Sequence, residues 1–487
     1  MNRVHRIKTD VLVIGAGLAG LTASLYAARQ GIDVTVVSKS KIGLGTSSYM
    51  SYGAFATSGY GMTVEKHIEK TLEAGNYKND PTLVKILASD APLVIKELIE
   101  MGVEFEVGRY NVIAKGKFPT IGKAIITKVL QNVSNLGVRL MNYTTVTNLF
   151  ELDDDVWGAS GFSFSGERIL IISKAVILAT GGASALFKYH DNPSGNIGDG
   201  YTLASKCGVS LKDMDLIQFY PVQLVEEGIP KIICPPVLTD FARIVNEDSE
   251  DLIEKYGFYD LKPVAIRARD KFSQAIFNEI KRGKNVYLDL REVKEHKLPE
   301  TEREIFYALR KKCKSLERPL RISPCAHFTL GGVPINERCE TEKVGLFAAG
   351  EVSWGVHGTN RLGGNALTEA CVFGRRAGIY ASSYSKSLSI PKHKKIENYF
   401  WEKIPVKGVK PKEALEIVKE IMWEKFALSK EENEFFEGKR RIEEVIAGGV
   451  KEKRKEHFGY CVSITNALHT AITILDHALM RTRSPIP

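Results

Sequence analysis

Cysteine is scarce and widely spaced in this sequence. The seven among its 487 residues, Cys207, Cys234, Cys313, Cys325, Cys339, Cys371 and Cys461, never come within ten positions of one another. That spacing excludes the tight ligand pairs of iron–sulfur and zinc sites, and no metal is expected. It also offers no disulfide framework, which points to a reducing compartment. No apolar run approaches the ~20 residues that a membrane-spanning helix needs, so no direct membrane insertion is expected. The start, MNRVHRIKTD, leads straight into a strand pattern without an export leader. The expected location is therefore cytoplasmic. Basic runs such as Lys392-His393-Lys394-Lys395 and Lys451 to Lys455 are short, scattered and free of interleaved aromatics. The formal charge of +9 thus carries no nucleic-acid footprint, although it suits small anions or an acidic partner.

What is present is an ordinary globular composition, 44% apolar and 26% charged, in a chain too long for a single core. Residues 10–14 form a β-branched run followed by glycines. Residues 18–30 carry apolar side chains at helical spacing, and residues 34–37 form a second strand pattern. Together they read as a βαβ unit. Two later apolar runs also end in glycine: 175–179 before Thr180-Gly181-Gly182, and 345–349 before Gly350-Glu351. The intervening stretch mixes short strands with a charged helix over 267–281 and another around 301–312. After the linker SLSIPKHKK only helical patterns follow. The expected fold is α/β. A Rossmann-like nucleotide-binding domain (1–215 and 323–387) is interrupted by an α+β capping domain (216–322) and followed by a helical domain (388–487).

Gly15-Ala16-Gly17-Leu18-Ala19-Gly20 fits G-x-G-x-x-G, after a strand and at the opening of a helix. Gly15 permits the tight turn and Gly17 lets the backbone approach a pyrophosphate. Gly20 lets helix and strand pack closely, and the helix N-terminus faces the anion. The acidic ribose ligand expected at the end of the second strand is absent; Val37-Ser38-Lys39 stands there. Either Ser38 makes the ribose contact or the cofactor is held differently, with Lys39 beside it. Three separated strand ends, at Gly15, at Ala179-Thr180-Gly181-Gly182 and at Gly350-Glu351, favour FAD over NAD. FAD is the longer ligand, and its ring end must be cradled by segments far along the chain.

The segment from Gly350 to Glu369, GEVSWGVHGTNRLGGNALTE, is the most specific in the chain. It closely resembles the succinate dehydrogenase/fumarate reductase flavoprotein family, which also contains L-aspartate oxidase. Supporting matches are Asn196-Ile197-Gly198-Asp199-Gly200, Gln218-Phe219, His327-Phe328-Thr329-Leu330-Gly331-Gly332 and Met422-Trp423-Glu424-Lys425. The resemblance spans residues 8 to 480 and implies an FAD domain split by a cap, with a helical C-terminal domain. It implies further FAD contacts at Thr46, Ser47, Ser48, Gly53, Asn196, Asp199, Asn365, Ala366 and Leu367. Family members in membrane complexes carry a flavin-linking histidine at the position of Ser47. No histidine lies between residues 7 and 66, so the flavin is expected to be non-covalent.

The resemblance implies hydride exchange between flavin and a C=C/CH–CH pair beside a carboxylate. Fumarate and succinate are the leading substrates. Such a site needs carboxylate clamps, an aimed proton donor and exclusion of water. Arg361 matches the carboxylate-clamping arginine, whose planar fork suits a carboxylate, and His327 matches its histidine partner. Thr239 heads Thr239-Asp240-Phe241-Ala242-Arg243, which resembles the family's T-E-x-x-R. Arg269 stands where soluble fumarate reductases carry a proton-donating arginine, with Asp240 and Arg243 as its relay. Taken alone, Arg269 reads as a helix surface charge, and His327 as a satisfied structural histidine.

Two departures concern the far half of the substrate. Tyr220 replaces a histidine after Gln-Phe, and Asp240 replaces a longer glutamate. They make a substrate with one carboxylate and a different far end credible, such as an aryl or imidazole acrylate like urocanate. L-Aspartate oxidase is the nearest rival activity. Its amino-reading loop contains an acid, whereas the corresponding stretch 108–122 here has none and is basic. A further alternative is an electron-transfer subunit with an inactive site. Since the chain holds no iron–sulfur or haem ligands, electrons are expected to be exchanged with a partner iron–sulfur subunit, a soluble carrier or oxygen. A partner subunit would also be the means of any peripheral membrane attachment.

Overall fold

Short runs of β-branched and aliphatic residues become the strands of two sheets. In chain order these are β1 (Val11–Ile14), β2 (Val34–Val37), β3 (Arg139–Met141), β4 (Ala175–Leu178), β5 (Ile217–Leu224), β6 (Arg243–Asn246), β7 (Val286–Asp289), β8 (Leu320–Thr329) and β9 (Leu346–Ala348). The helices that matter to the site are α1 (Leu18–Ala28), α2 (Pro236–Phe241), α3 (Arg269–Lys281), α4 (Glu300–Cys313), α5 (Asn365–Lys386) and α6 (Phe458–Arg483). The structure is a computed structural model describing residues 4–108, 111–117, 120–226, 233–390, 404–429 and 431–483.

The first sheet is parallel, in the order β9-β4-β1-β2-β3. Every residue of β1, β2 and β4 is buried, as expected of parallel strands covered on both faces. Helix α1 is buried from Leu18 to Ala27 and packs against α5. The second sheet is antiparallel, in the order β5-β8-β7-β6. It has its own apolar cluster, built from Leu238, Ile244, Phe272, Leu288, Phe306 and Leu320 among others. The helices after residue 404 share one apolar cluster with the parallel sheet, through Ala414, Ile442, Leu468 and Leu475.

Two local features differ from the sequence pattern. The charged helix expected over 267–281 is broken at Ala268, whose φ of −121° and ψ of 23° leave the helical region. A short helix (Val264–Arg267) therefore ends there, and α3 begins on Arg269. The far half of α3 is anchored to the C-terminal helices. Phe277 meets Trp423 edge-on at 5.6 Å, and Lys281 pairs with Glu434 at 3.2 Å. Aromatic pairs of this kind contribute about 1 kcal/mol beyond their burial, and this one fixes the direction of α3. The second feature is the stretch 455–483, which has the length and hydropathy of a membrane-spanning helix although no continuous apolar run marks it in the sequence. Its most apolar window is 67% buried within the fold. There the Thr202 hydroxyl donates to the Asn466 carbonyl at 2.8 Å. A helix apolar on all sides is what a protein interior requires.

Candidate active site

The β1–α1 turn is shaped by contacts that leave no room for side chains. Gly15 sits at φ +110°, and a Cβ there would lie 2.1 Å from the Ala179 carbonyl oxygen. A Cβ on Gly20 would lie 2.0 Å from the Gly15 carbonyl oxygen. The turn opens on a cleft of about 1930 Å³ lined by both sheets' loops. Helices α1 and α5 both start on it, at Gly17 and Gly364, and neither cap residue closes its helix with a side chain. Helix N-termini attract anionic and electron-rich groups, so this end of the cleft is prepared for a phosphate-bearing, extended ligand.

Most of the expected cofactor residues line this cleft. They are Gly15, Gly17, Leu18, Ala19, Ser38, Lys39, Thr46, Ser47, Ser48, Gly53, Ala179, Thr180, Gly181, Asn196, Asp199, Gly350, Glu351, Ala366 and Leu367. Ser48 Oγ accepts from the Leu18 amide at 3.2 Å and so ties the 46–50 loop to the start of α1. Lys39 reaches Asp199, which also accepts from the Ser463 hydroxyl of α6. Among the described residues, the buried Thr180 hydroxyl has no hydrogen-bond partner. Three expected residues do not line the cleft. Gly20 serves helix–strand packing. Gly182 packs beneath Glu351, whose Oε1 would lie 2.2 Å from a Cβ there. Asn365 is fully buried behind the cleft wall, where it bonds His67 at 2.8 Å and Thr71 at 3.0 Å.

Glu351 accepts from the Thr329 amide at 3.0 Å, but burial pushes its carboxyl up to about 7. Its ordinary value, 4.5, applies when the chain is unfolded. The folded state thus holds this proton more tightly. The resulting stabilisation is full below pH 4.5 and fades as pH rises through 7. In the protein stripped of ligand, Glu351→Gln should raise the melting temperature at pH 8 and leave it nearly unchanged at pH 5. The gain at pH 8 is at most about 3 kcal/mol. Equal shifts at both pH values in a thermal melt would refute this.

At the other end of the cleft a charged network assembles around His327. Opposite β5, the register runs Gln218–Phe328 and then Phe219–Ala326, so His327 is the extra residue of a β-bulge. A bulge turns a side chain away from the regular alternation, and here it presents His327 to the cleft. The segment 189–191 runs beside the bulge, with the Ala326 amide donating to the Tyr189 carbonyl at 2.9 Å. This brings the Asp191 carboxylate to 2.6 Å from His327 Nδ1. Arg361 Nη2 lies 3.0 Å from His327 Nε2. Since arginine only donates and a carboxylate only accepts, His327 carries its proton on Nδ1. Asn192 continues the network, donating to the His327 carbonyl at 2.8 Å and accepting from the Ser47 hydroxyl at 2.7 Å. No sequence pattern singles out Asp191 and Asn192; their one cue is a place just before the Asn196–Gly200 motif.

Arg269 joins the same site. Its Nη2 donates to Asn360 Oδ1 at 2.6 Å and to the Arg361 carbonyl at 2.8 Å. Gln218 Nε2 shares both acceptors, at 2.6 and 3.3 Å. Among the described residues, the buried Nε atoms of Arg269 and Arg361 have no hydrogen-bond partner. Burial pushes the Arg269 guanidinium down. Burial, and then the charge of Arg269, pushes Arg361 down to about 10. Among the described residues, the nearest carboxylate to Arg269 is Asp270, at 4.0 Å and half-exposed. Two buried cations thus converge with no carboxylate among the described residues hydrogen-bonded to either.

The expected relay is not assembled. The Asp240 carboxylate accepts from the Val264 amide at 3.0 Å, capping the short helix before Ala268. Arg243 is half-exposed and faces Asp251 at 3.6 Å. Among the described residues, neither has a hydrogen bond to Arg269. Thr239 is fully buried and donates to the Pro235 carbonyl within α2 at 3.0 Å. None of the three lines the cleft. Tyr220 does line it, but its hydroxyl donates to the Cys234 carbonyl at 2.6 Å. Of the basic stretch 108–122, Asn111, Ile113, Gly116, Thr120 and Ile121 line the cleft, while Arg109, Tyr110, Phe118 and Pro119 lie outside the described residues.

Comparisons with known proteins bear on this site. The family described as FAD binding domain matches residues 10–367. L-aspartate oxidase of Saccharolobus solfataricus is 32% identical over 397 residues, covering 79% of this chain and 80% of its own. One subunit of the fumarate reductase (CoM/CoB) of Methanothermobacter marburgensis is 29% identical over 514 aligned residues, covering 98% and 92%. The solved structure of Mycobacterium smegmatis Sdh1 in complex with UQ1 superposes with a TM-score of 0.86 at 27% identity, covering 98% of this chain and 88% of that one.

Proposed function

The chain belongs to the FAD-dependent family of succinate dehydrogenase and fumarate reductase flavoproteins, with FAD as its cofactor, and from that premise we propose that it interconverts a 2-enoate and its saturated acid. Fumarate is one such substrate and gives its name to the Methanothermobacter relative. The observation that carries this reading is the pair of guanidinium groups, Arg269 and Arg361, converging with no carboxylate among the described residues hydrogen-bonded to either. Two cations so placed favour an anionic ligand.

Bound, reduced FAD would supply the hydride, and with it both electrons, that the substrate's double bond takes up. The protein's own residues do the rest. Arg361 takes the substrate carboxylate on its planar fork, and His327 holds the fork from the side through Nε2. Asp191 keeps His327 in its Nδ1-protonated form, so that Nε2 remains the acceptor that holds the Arg361 fork. Arg269 donates the proton to carbon. Asn360 and the Arg361 carbonyl fix its direction, and burial makes it a readier acid than an exposed arginine. Asp270, and not Asp240 or Arg243, is placed to return a proton to Arg269 from solvent. With no cofactor-linking side chain at Ser47, whose hydroxyl is engaged by Asn192, the flavin is held without a covalent bond. Acid precipitation of the purified protein should therefore release all the yellow colour; colour kept in the pellet would contradict this.

L-aspartate oxidation is the second reading, favoured by the 32% identity to an enzyme of that name. A partner subunit or soluble carrier is proposed as the electron source for enoate reduction and, on the second reading, as the electron acceptor. The deciding experiment is anaerobic. Protein reduced with dithionite is mixed with fumarate, urocanate or iminoaspartate while the flavin absorbance is followed. Reoxidation by an enoate is expected. Reoxidation by iminoaspartate alone would give the second reading, and no reoxidation by any would leave an electron-transfer subunit with an inactive site.

A further inference from the structure

We infer that the substrate carries a single carboxylate, and that the group on its far carbon is apolar, an aryl or alkyl substituent in place of a second carboxylate. The inference rests on the enoate reading above and narrows its substrate class.

The starting point is the distribution of charge along the site. Arg361 and His327 stand 3.0 Å apart and form one clamp, enough for one carboxylate. Arg269 lies beside that clamp, with one Nη occupied by Asn360 and the Arg361 carbonyl. Beyond Arg269, the wall is made by the rings of Tyr52 and Tyr220, by Pro235, Pro236 and Val237, and by Ala265. The Tyr220 ring lies 5.9 Å from that of His327, so it bounds the same space. Both tyrosine hydroxyls donate to backbone carbonyls, Tyr52 to Ile233 at 3.0 Å and Tyr220 to Cys234 at 2.6 Å. Burial pushes both phenols well up, so neither supplies a charge.

The polar groups that could serve a second carboxylate are turned elsewhere. Thr239 donates inside α2, Asp240 caps a helix, and Arg243 pairs with Asp251. Of the other basic side chains of the cleft, Lys39 follows β2 and pairs with Asp199, and Lys410, Lys412, Arg454 and His457 belong to C-terminal segments. A second carboxylate at the far end would meet aromatic rings and prolines. Among the described residues it would find no cation there. An unpaired carboxylate in such surroundings is strongly disfavoured. An aryl or alkyl group would instead gain contact with two tyrosine faces. Ile305, Ala308 and Leu309 of α4 line the cleft as well, together with Glu302 and Glu304, which offer a second carboxylate no cation.

The test compares fumarate, crotonate and cinnamate as oxidants of the anaerobic, dithionite-reduced holoenzyme. Cinnamate and crotonate should reoxidise the flavin, with kcat/KM for cinnamate at least about tenfold above that for fumarate. In parallel, hydrocinnamate should perturb the visible spectrum of the oxidised holoenzyme at lower concentration than succinate. Fumarate equal to or better than cinnamate would overturn the inference and leave the enoate reading standing. Failure of every enoate would overturn the enoate reading, and the inference with it. Tyr220→His restores a donor at the far end and should move the preference towards fumarate by about tenfold. Tyr220→Phe, which keeps the ring, should retain the wild-type preference. If a folded, flavin-loaded Tyr220→His protein kept the wild-type ratio, Tyr220 would not set the specificity.

Discussion

Replacing Arg269 with alanine should abolish enoate reduction, lowering kcat by about 10³-fold or more, while the purified protein keeps its flavin and its melting temperature. The size follows from what a positioned acid contributes, roughly 10²–10⁴, together with the loss of a cation next to the developing charge. The fold should survive because the acceptors that Arg269 serves are not orphaned. Asn360 Oδ1 and the Arg361 carbonyl both still receive Gln218 Nε2. Removal of Arg269 also takes away a like charge that depresses Arg361, so substrate carboxylate binding should weaken little. The pattern to look for is thus a collapse of kcat with KM within a few-fold of wild type. Turnover at the wild-type rate would show that another group delivers the proton. A large loss of flavin would show that Arg269 has a structural role instead.

The second large effect belongs to the other end of the cleft. Gly15→Ala should yield protein without flavin and with stability reduced by several kcal/mol, on the order of 3 or more. Two costs add. An alanine at φ +110° is strained wherever it stands, and its methyl group would collide with the Ala179 carbonyl oxygen at 2.1 Å. The obstacle is backbone at the end of β4 and cannot rotate aside. Gly137→Ala separates the two costs, because Gly137 also has a positive φ, 73°, but has nothing within 4 Å. It should lose only about 1 kcal/mol and keep its flavin. Flavin absorbance per chain and thermal melting with and without added FAD measure both variants. Gly15→Ala protein with a full complement of flavin would refute the packing argument.

The sequence was most informative where function depends on contiguous backbone. The turn from Gly15 to Gly20 requires particular residues at fixed spacing, because its constraint is local. The same holds for the strand ends at Ala179 and Gly350, and for the helix start at Gly364, which sits at φ +88°. The sequence was least informative where a side chain's direction depends on a partner from elsewhere. Arg269 alone reads as a surface charge on a continuous helix, and only the break at Ala268 sends it inward. Asp240 and Arg243 lie in the right motif, but the Val264 amide and Asp251 draw them away.

From the sequence by itself follow the α/β class, the flavin turn, the absence of a linking histidine and the presence of His327 and Arg361 in motifs resembling the family's, because each rests on local geometry or on which chemical group is present. Only the tertiary structure decided how those groups face one another. The bulge that presents His327, the strand-side segment that brings Asp191 to it, and the two tyrosine hydroxyls bound to backbone carbonyls all arise from pairings between segments far apart in the chain. Such pairings set the direction of side chains, and no local pattern encodes them.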